Sequence, residues 1–449
     1  MEVKIGIPLI DMEIAEKCDV YLVGGTVRDF ILRRKFSDYD IVVRDVDCVL
    51  KTLKKKASSL VIFPLSVEDR EYRCILDENT WIDVSEMKGK DIVEDLSIRD
   101  FTLNSIAIQV STQRTIDPFG GLDDIKRKII RTKSLRNLVI DPLRILRAYR
   151  FTALLGFSIE SKTRCFLKEL SPLLSVRIVA AERIWYELTL ILSSPNASST
   201  LTLMSEDSVL FSIFPELEPM KYTAQRYYNE QNLLYHSLCA VAKFEEMLKE
   251  RDYAPEMVHV LKLAVLLHDI GKPMTMSYDE EGNTHFYGHD KLGSEMVENI
   301  ADRLKMSRRE RNLLKNLVRH HMYPHLLAAQ KVLTDKAVNR YLRRMDDLAF
   351  PLLDIAIADA LASPPRQDGI LPYEEFRAKI GRVIEEKQKL GPGRLITGDD
   401  LILLGLKPSP LFRVILGEID DLVAEGTIKN RDDALLYIKQ KYILDSDDF

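Results

Sequence analysis

Histidine is missing from the first 235 residues of this 449-residue chain; all eight lie between His236 and His325. Whatever chemistry the first half performs therefore does not use imidazole. Cysteine is also scarce: Cys18, Cys48, Cys74, Cys165 and Cys239 are odd in number and form no CxxC pair, which excludes a thiol zinc ribbon or a redox dithiol motif. They are expected to be reduced, mostly buried thiols without chemistry of their own. An excess of basic charge is absent, since 64 Lys and Arg face 69 Asp and Glu for a formal net charge of -5. That excludes a uniformly basic coat, so any nucleic-acid contact must come from local patches. No apolar run is long enough to cross a bilayer, and Met1 to Ile10 has neither a basic start with a long apolar run nor a small-residue cleavage site. The expectation is a cytoplasmic protein with no membrane partner. Internal repeats and low-complexity tracts are likewise lacking. What is present, 46% hydrophobic and 30% charged residues, suits a globular chain of roughly three domains.

Tyr21 to Val43, YLVGGTVRDFILRRKFSDYDIVV, is the most informative stretch. A short apolar run ends at Gly24-Gly25, where backbone N–H groups can approach a bulky anion such as a triphosphate. Thr26 to Arg33 has helical spacing, with Val27, Phe30 and Ile31 on one face, so a helix N-terminus would favour the same anion. Asp38-Tyr39-Asp40 then opens Ile41-Val42-Val43, a run of strand type, which puts both carboxylates on one face. Two carboxylates side by side repel, and a hard cation relieves that repulsion. A glycine pair alone marks a turn, and a DxD alone a loop end or helix cap. Their order within one segment points instead to metal-assisted phosphoryl transfer. Further on, Val49 to Ser58 reads as a basic helix, and Leu60–Phe63, Tyr72–Leu76 and Trp81–Val84 as strands. Asp83 either joins Asp38 and Asp40 or faces water at a strand end.

The segment resembles the catalytic signature of the nucleotidyltransferase superfamily, in the form carried by class II tRNA nucleotidyltransferases and bacterial poly(A) polymerases. Arg99-Asp100-Phe101-Thr102 with Asn104 is similar to the RDFTxN motif of those enzymes, and Thr115-Ile116-Asp117-Pro118-Phe119-Gly120-Gly121 to a motif joining head to neck, either as a hinge or as a rigid turn. The resemblance implies that Asp38, Asp40 and Asp83 are catalytic, with Mg²⁺ on Asp38 and Asp40. It further implies that Gly24, Gly25 and Arg28 hold phosphates, that Asp100 and Asn104 hold the ribose with Arg99 beside them, and that Asp141 and Arg144 read the base. Arg147 and Arg150 continue the face of Arg144 toward phosphate or RNA. Asp141 and Arg144 are three apart, hence on one helical face, and offer an acceptor and a donor fork able to mimic a Watson–Crick edge. The run Lys126, Arg127, Lys128, Arg131, Lys133 and Arg136 is a solvated face or an RNA patch.

Two departures stand out. The family pattern is Glu-Asp-x-x-Arg, but Ile140 occupies the Glu position, which leaves Arg144 without its expected orienting acid unless another, such as Glu182, serves. Glu182-Arg183-Ile184 with Glu187-Leu188 resembles the last neck motif, usually structural. The segment from Asp83 to Arg99 is also shorter than the flexible loop of full CCA-adding members, which favours CC-adding or another partial activity.

The histidine-rich half resembles the HD phosphohydrolase superfamily in the order His236, His268-Asp269, His289, His320-His321, Asp359. These residues are expected to bind a divalent transition metal, whose bound water could attack a phosphoester. His259, His285 and His325 lie off that pattern and read as packing or surface residues. Arg394 to Tyr442 resembles the family's helical tail, with a turn at Gly405-Leu406-Lys407-Pro408-Ser409-Pro410 and a capped helix start at Asn430; Asp445 to Asp448 is an acidic, frayed end. The expected fold class is α+β: a nucleotidyltransferase head with a mixed β-sheet (1–135), then an all-α neck (136–195), HD body (196–365) and tail (366–449). The expected partners are tRNA or other RNA 3′ ends, CTP and ATP. A poly(A) polymerase, or a mainly HD-type phosphohydrolase with an RNA-binding head, are the competing readings.

Overall fold

The computed structural model describes residues 5–223, 232–363, 369–389, 395–424 and 427–443. The chain divides into two compact units, Met1–Pro215 and Glu216–Phe449.

The first unit begins with α1 (Met12–Lys17), capped by the Asp11 side chain, and β1 (Tyr21–Val23). Helix α2 (Gly24–Ile31) starts on the glycine pair itself, two residues earlier than the spacing of apolar residues suggests. Then follow β2 (Asp38–Val43), α3 (Val46–Lys56), β3 (Val61–Ser66), β4 (Glu71–Ile75), β5 (Trp81–Glu86), α4 (Ile92–Ile98), β6 (Ala107–Gln109) and β7 (Arg114–Ile116). The sheet order is β3-β4-β5-β2-β1-β6-β7; β2 and β5 are parallel and the other neighbours antiparallel, so the sheet is mixed. Period-two alternation sorts its faces. Ile41, Val43, Ile82 and Val84 are buried on the side where α3 packs against β5. Each such side chain contributes about 1.5–3 kcal/mol on leaving water. On the other face Val42 joins Tyr21, Val23, Ile92, Leu96 and Ala107 in a core. Asp38 and Asp40 share that face but precede Val42, so they emerge where this core ends.

After α5 (Gly121–Arg127) come α6 (Leu135–Ile140) and α7 (Leu143–Leu155), the latter packed on Ala181–Ser193. The turn before α5 is braced by hydrogen bonds and close packing. Asp117 accepts hydrogen bonds from Gly121 N (2.7 Å) and Leu122 N (2.9 Å), and a Cβ on Gly121 would meet Thr102 O at 2.2 Å. The neck is not wholly helical: Ile129–Ile130 pairs in parallel with Ser158–Ile159, because the helices between them form a crossover. The cysteine expectation needs correction as well. Cys18 and Cys48 form a disulfide, their Cα atoms 6.2 Å apart where the end of α1 meets α3. Of the remaining three, Cys74 is buried, Cys239 half-buried and Cys165 exposed.

Among its described residues the second unit builds its regular structure from helices, apart from a small ribbon of Ser277–Tyr278 on Thr284–His285. Leu233–Met247 lies against Ala349–Ala362 and Pro255–Leu267, and His289–Arg303 against Arg308–His320. The tail helices close on Ile396, Leu401, Ile415, Ile419 and Ile438. Asn430 caps the last helix, its side chain accepting from Asp433 N at 2.9 Å. The expected boundary near residue 366 and the acidic end Asp445 to Asp448 lie outside the described residues.

Candidate active site

In the sheet Asp40 is registered opposite Asp83 and Asp38 opposite Trp81. Thr26, at the start of α2, fixes the carboxylate strand: its hydroxyl donates to Asp38 O (3.0 Å) and accepts from Asp40 N (2.7 Å). Gly25 N donates to Asp40 Oδ2 at 3.2 Å. Gly24 has φ +64°, and a Cβ there would sit 3.1 Å from Asp40 Oδ2 and 3.3 Å from the Arg99 guanidinium, so both its conformation and its close approach require glycine. Burial raises the Asp40 pKa to about 6, helped by the charges of Asp38 and Asp83 and opposed by Arg99 and the Gly25 N–H. A buried carboxylate that its acidic neighbours push toward neutrality is one that a divalent cation would return to its charged form, so the residues fit such an ion. Asp83 stands beside the pair but is gripped by Arg73, Nε to Oδ1 at 2.7 Å and Nη2 to Oδ2 at 2.8 Å.

Asp100 lies at the buried end of the turn after α4. Its carboxylate accepts from Phe101 N (2.8 Å) and Asn104 Nδ2 (3.0 Å) and pairs with Arg147 Nη2 at 2.8 Å. Burial alone would raise its pKa, but Arg147 and these donors hold it down at about 2. Asn104 Oδ1 accepts from Arg28 Nη1 at 3.0 Å, and Arg99 pairs with Asp95. Arg150 pairs with Glu187 at 2.9 Å, an acid buried on the apolar face of its helix. Together these groups line a cavity of about 660 Å³ bounded by Gly24, Gly25, Arg28, Asp38, Asp40, Asp83, Arg99, Asp100, Asn104, Arg144, Arg147 and Arg150. With Asp38, Asp40 and Asp83 side by side and six arginines, Arg34 included, among its lining residues, the site can hold metal ions and a polyanion together.

Asp141 is the predicted residue that does not line this cavity. It is extended rather than helical, ahead of Pro142 and α7, and its Oδ2 accepts from Arg183 at 3.1 Å. Arg144 is oriented by main chain instead of by an acid: Nη1 donates to Ile98 O (2.8 Å) and Asn137 O (3.0 Å). Lys133 donates to Leu96 O and Arg99 O, and Asn137 Nδ2 to Ser97 O and Arg99 O, so with Arg144 on Ile98 O these side chains cap the C-terminal carbonyls of α4. Ile140 is exposed. The basic run is accordingly less available than its sequence suggests. Lys133 is committed to α4, Arg131 to Asp124 and Glu160, and Arg127 to Asp123.

In the second unit, His236, His268 and Asp359 bring one ligand atom each within 4.8 Å of one another, and Asp269, His289 and His321 do the same. The Nδ1 atoms of His268, His289 and His321 each lie 2.7 Å from a carbonyl three residues back, Val265 O, Phe286 O and Val318 O. Those bonds put the hydrogen on Nδ1 and leave the Nε2 lone pair for a metal. His268 Nε2 is 3.1 Å from Asp269 Oδ2, and His289 Nε2 3.2 Å from His321 Nε2, so the donors converge. His320 belongs to neither group, because its neighbour His321 takes the inward face of the helix turn. His325, read from sequence as a packing or surface residue, instead bridges Asp359 (3.0 Å) and the Tyr373 hydroxyl (2.7 Å). His259 pairs with Glu310 and His285 with Asp279, each at 2.8 Å and away from the donors.

Comparison with known proteins agrees with this layout. The family model described as "Poly A polymerase head domain" matches residues 20–131, "Probable RNA and SrmB- binding site of polymerase A" matches 156–221, and "HD domain" matches 233–363. An A-adding tRNA nucleotidyltransferase of Deinococcus radiodurans is 30% identical over 426 residues, 93% of this chain and 94% of that protein. A CC-adding tRNA nucleotidyltransferase of Thermus thermophilus is 29% identical over 426 residues, covering 94% and 93%. In fold, the chain is similar to the Thermotoga maritima CCA-adding enzyme complexed with tRNA, with a TM-score of 0.66 at 20% identity over 96% of this chain and 93% of that one.

Proposed function

The chain belongs to the tRNA nucleotidyltransferase family, and from that premise we propose that its head cavity adds C or A to the 3′ end of tRNA without a nucleic-acid template, releasing pyrophosphate. The observation that carries the site assignment is that the Asp38/Asp40 pair lines one cavity with Arg28, Arg99, Arg144, Arg147 and Arg150. Asp38 and Asp40, with Asp83 beside them, would hold divalent ions, which we take to be Mg²⁺. When bound, such ions lower the pKa of the attacking hydroxyl and neutralise charge on the phosphates. Arg28 and the backbone of Gly24 and Gly25 hold the triphosphate, aided by Arg150. Asp100, kept ionised by Arg147, accepts from a ribose hydroxyl, and Asn104 is fixed beside it by Arg28. Arg144 presents donors to the base, and Asp141 supplies the acceptor on release from Arg183. The RNA 3′-oxygen attacks the α-phosphorus, its P–O bond forms as the bond to pyrophosphate breaks, and the proton leaves to solvent.

The short segment between β5 and α4 supports a partial activity, C or A alone. It is tied down by Lys88 N to Asp95 (3.0 Å) and Lys90 N to Glu94 (2.8 Å). The convergent donors of the second unit support a second, metal-dependent phosphoester hydrolysis on His236, His268, Asp269, His289, His321 and Asp359, with a transition metal suited to the imidazoles. We also read the chain as head, neck, body and tail divided at 135/136, 195/196 and 365/366. Incubation of tRNAs ending before C74, C75 and A76 with CTP or ATP tests the main reading. Long A tracts on unrelated RNA would identify a poly(A) polymerase instead, and hydrolysis without incorporation would leave the second unit as the active one.

A further inference from the structure

The nucleotide-holding groups all lie on one side of the carboxylate strand. Gly24, Gly25 and Arg28 come from α2 after β1, Asp100 and Asn104 lead into β6, and the arginines come from α7. On the other side, β5, β4 and β3 continue the same sheet face outward. The register runs in two straight rows: Asp38, Trp81, Ile75 and Val61 in one, Asp40, Asp83, Arg73 and Phe63 in the other. The outer part of this face is apolar and open, with Val61 56%, Phe63 38%, Leu65 47% and Ile75 38% exposed. The Arg73 guanidinium carbon lies on it, 4.8 Å from the centre of the Trp81 ring. Leu65 also lines the cavity of Asp38 and Asp40, so shelf and site are continuous. With strands about 4.8 Å apart, β3 is about 14 Å from β2.

We propose that this shelf carries the bases of the unpaired 3′ end of the RNA substrate, stacked on Phe63 and on the Arg73 guanidinium and packed on Val61, Leu65 and Ile75; the inference rests on the transferase reading above. In-line displacement places the attacking 3′-oxygen opposite the leaving pyrophosphate. The pyrophosphate sits toward α2, so the RNA must arrive from the β5 side, over this face. Open sheet faces with aromatic and arginine planes suit single-stranded bases, since every base offers a π-face. The edge itself does not suit a strand partner, because Pro64 and the irregular register between Pro64 and Ser66 interrupt the ladder. The shelf residues themselves carry no cation but Arg73, which Asp83 already holds, so base contact is the attraction this face offers.

The test is steady-state addition to tRNA lacking its 3′ nucleotides, with Phe63→Ser, Leu65→Ser and the aromatic replacement Phe63→Trp. For Phe63→Ser the RNA KM should rise about 10-fold. The nucleotide KM and kcat should stay within about twofold, and Phe63→Trp should restore the RNA KM. Leu65→Ser should show a smaller rise of the same kind. Because no phosphate contact is lost, the slope of log KM against log salt should not change. An unchanged RNA KM in both serine variants, with wild-type melting temperatures, would overturn the proposal. So would a KM rise accompanied by a shallower salt slope, which marks a phosphate contact, or sedimentation showing that the serine variants dissolve a dimer formed by this face. If the wild-type chain adds no nucleotide to any RNA, the transferase reading fails and the shelf proposal falls with it.

Discussion

Neutralising Asp40 should stabilise the metal-free protein while destroying its activity. The Asp40 carboxyl titrates at about 6 in the folded chain against an ordinary value of 3.8, because burial, Asp38 and Asp83 all disfavour its charge. That gap corresponds to about 3 kcal/mol of destabilisation once the group is ionised in both states. The sign follows from the raised folded value: the proton favours the folded form, so this contribution is fully present below about pH 4 and is lost as pH rises through about 6. Asp40→Asn keeps an acceptor for the Gly25 N–H and removes the charge. In chelator-treated protein at pH 8 it should therefore raise the melting temperature of the first unit by several degrees, an upper bound of about 3 kcal/mol. At pH 4 the gain should vanish. Added Mg²⁺ should stabilise the wild type at pH 8 more than the variant, which has lost one of the carboxylates that bind it. Thermal scans at the two pH values, with and without Mg²⁺, read all of this. Equal stability of the two proteins at pH 8, or an equal gain at pH 4, would refute the electrostatic account of the site.

The other expectations are simpler. Glu187→Ala strips a buried Arg150 of its partner and should cost about 3 kcal/mol in urea unfolding and raise the nucleotide KM, with Glu187→Gln intermediate in both. Equilibrium dialysis with Mn²⁺ or Co²⁺ should lose binding in His268→Ala and Asp269→Ala and keep it in His320→Ala. His325→Ala should weaken it about 10- to 100-fold by releasing Asp359. The link between Cys18 and Cys48 spans 30 residues that include Gly24, Gly25, Asp38 and Asp40. Cys18→Ser/Cys48→Ser, or reductant alone, should therefore cost about 3 to 4 kcal/mol in unfolding free energy.

Local signals made much of this legible. The apolar run Ile41 to Val43 named the strand, period two gave the shared face of Asp38 and Asp40, and the glycine pair marked a close backbone approach, which in the structure Gly24 makes to Asp40. Asp141 was misplaced although the sequence held the warning, since a residue before proline is driven from helical to extended backbone. The choice of His320 over His325 ignored a similar rule: His321 and His325 are four apart and share a helix face, whereas His320 is turned about 100° away. Glu187 was visible as an acid among Ile184, Leu188 and Ile191 at helical spacing, a position that demands a buried cation. The grip of Ile98 and Asn137 carbonyls on Arg144 was not legible. Main-chain acceptors carry no residue identity, and Ile98 is 46 positions away. The Cys18–Cys48 pairing escaped for the same reason, because tertiary packing alone brings α1 and α3 together.

The central claim is that Asp38 and Asp40 drive nucleotide addition to a tRNA 3′ end. The most direct measurement is single-turnover incorporation of labelled CTP or ATP into tRNAs truncated before C74, C75 and A76, by wild type and by Asp38→Ala/Asp40→Ala. The account predicts C or A added only at the matching truncation, and no incorporation by the double variant while its fold and its metal binding in the second unit persist. Full incorporation by that variant would contradict it.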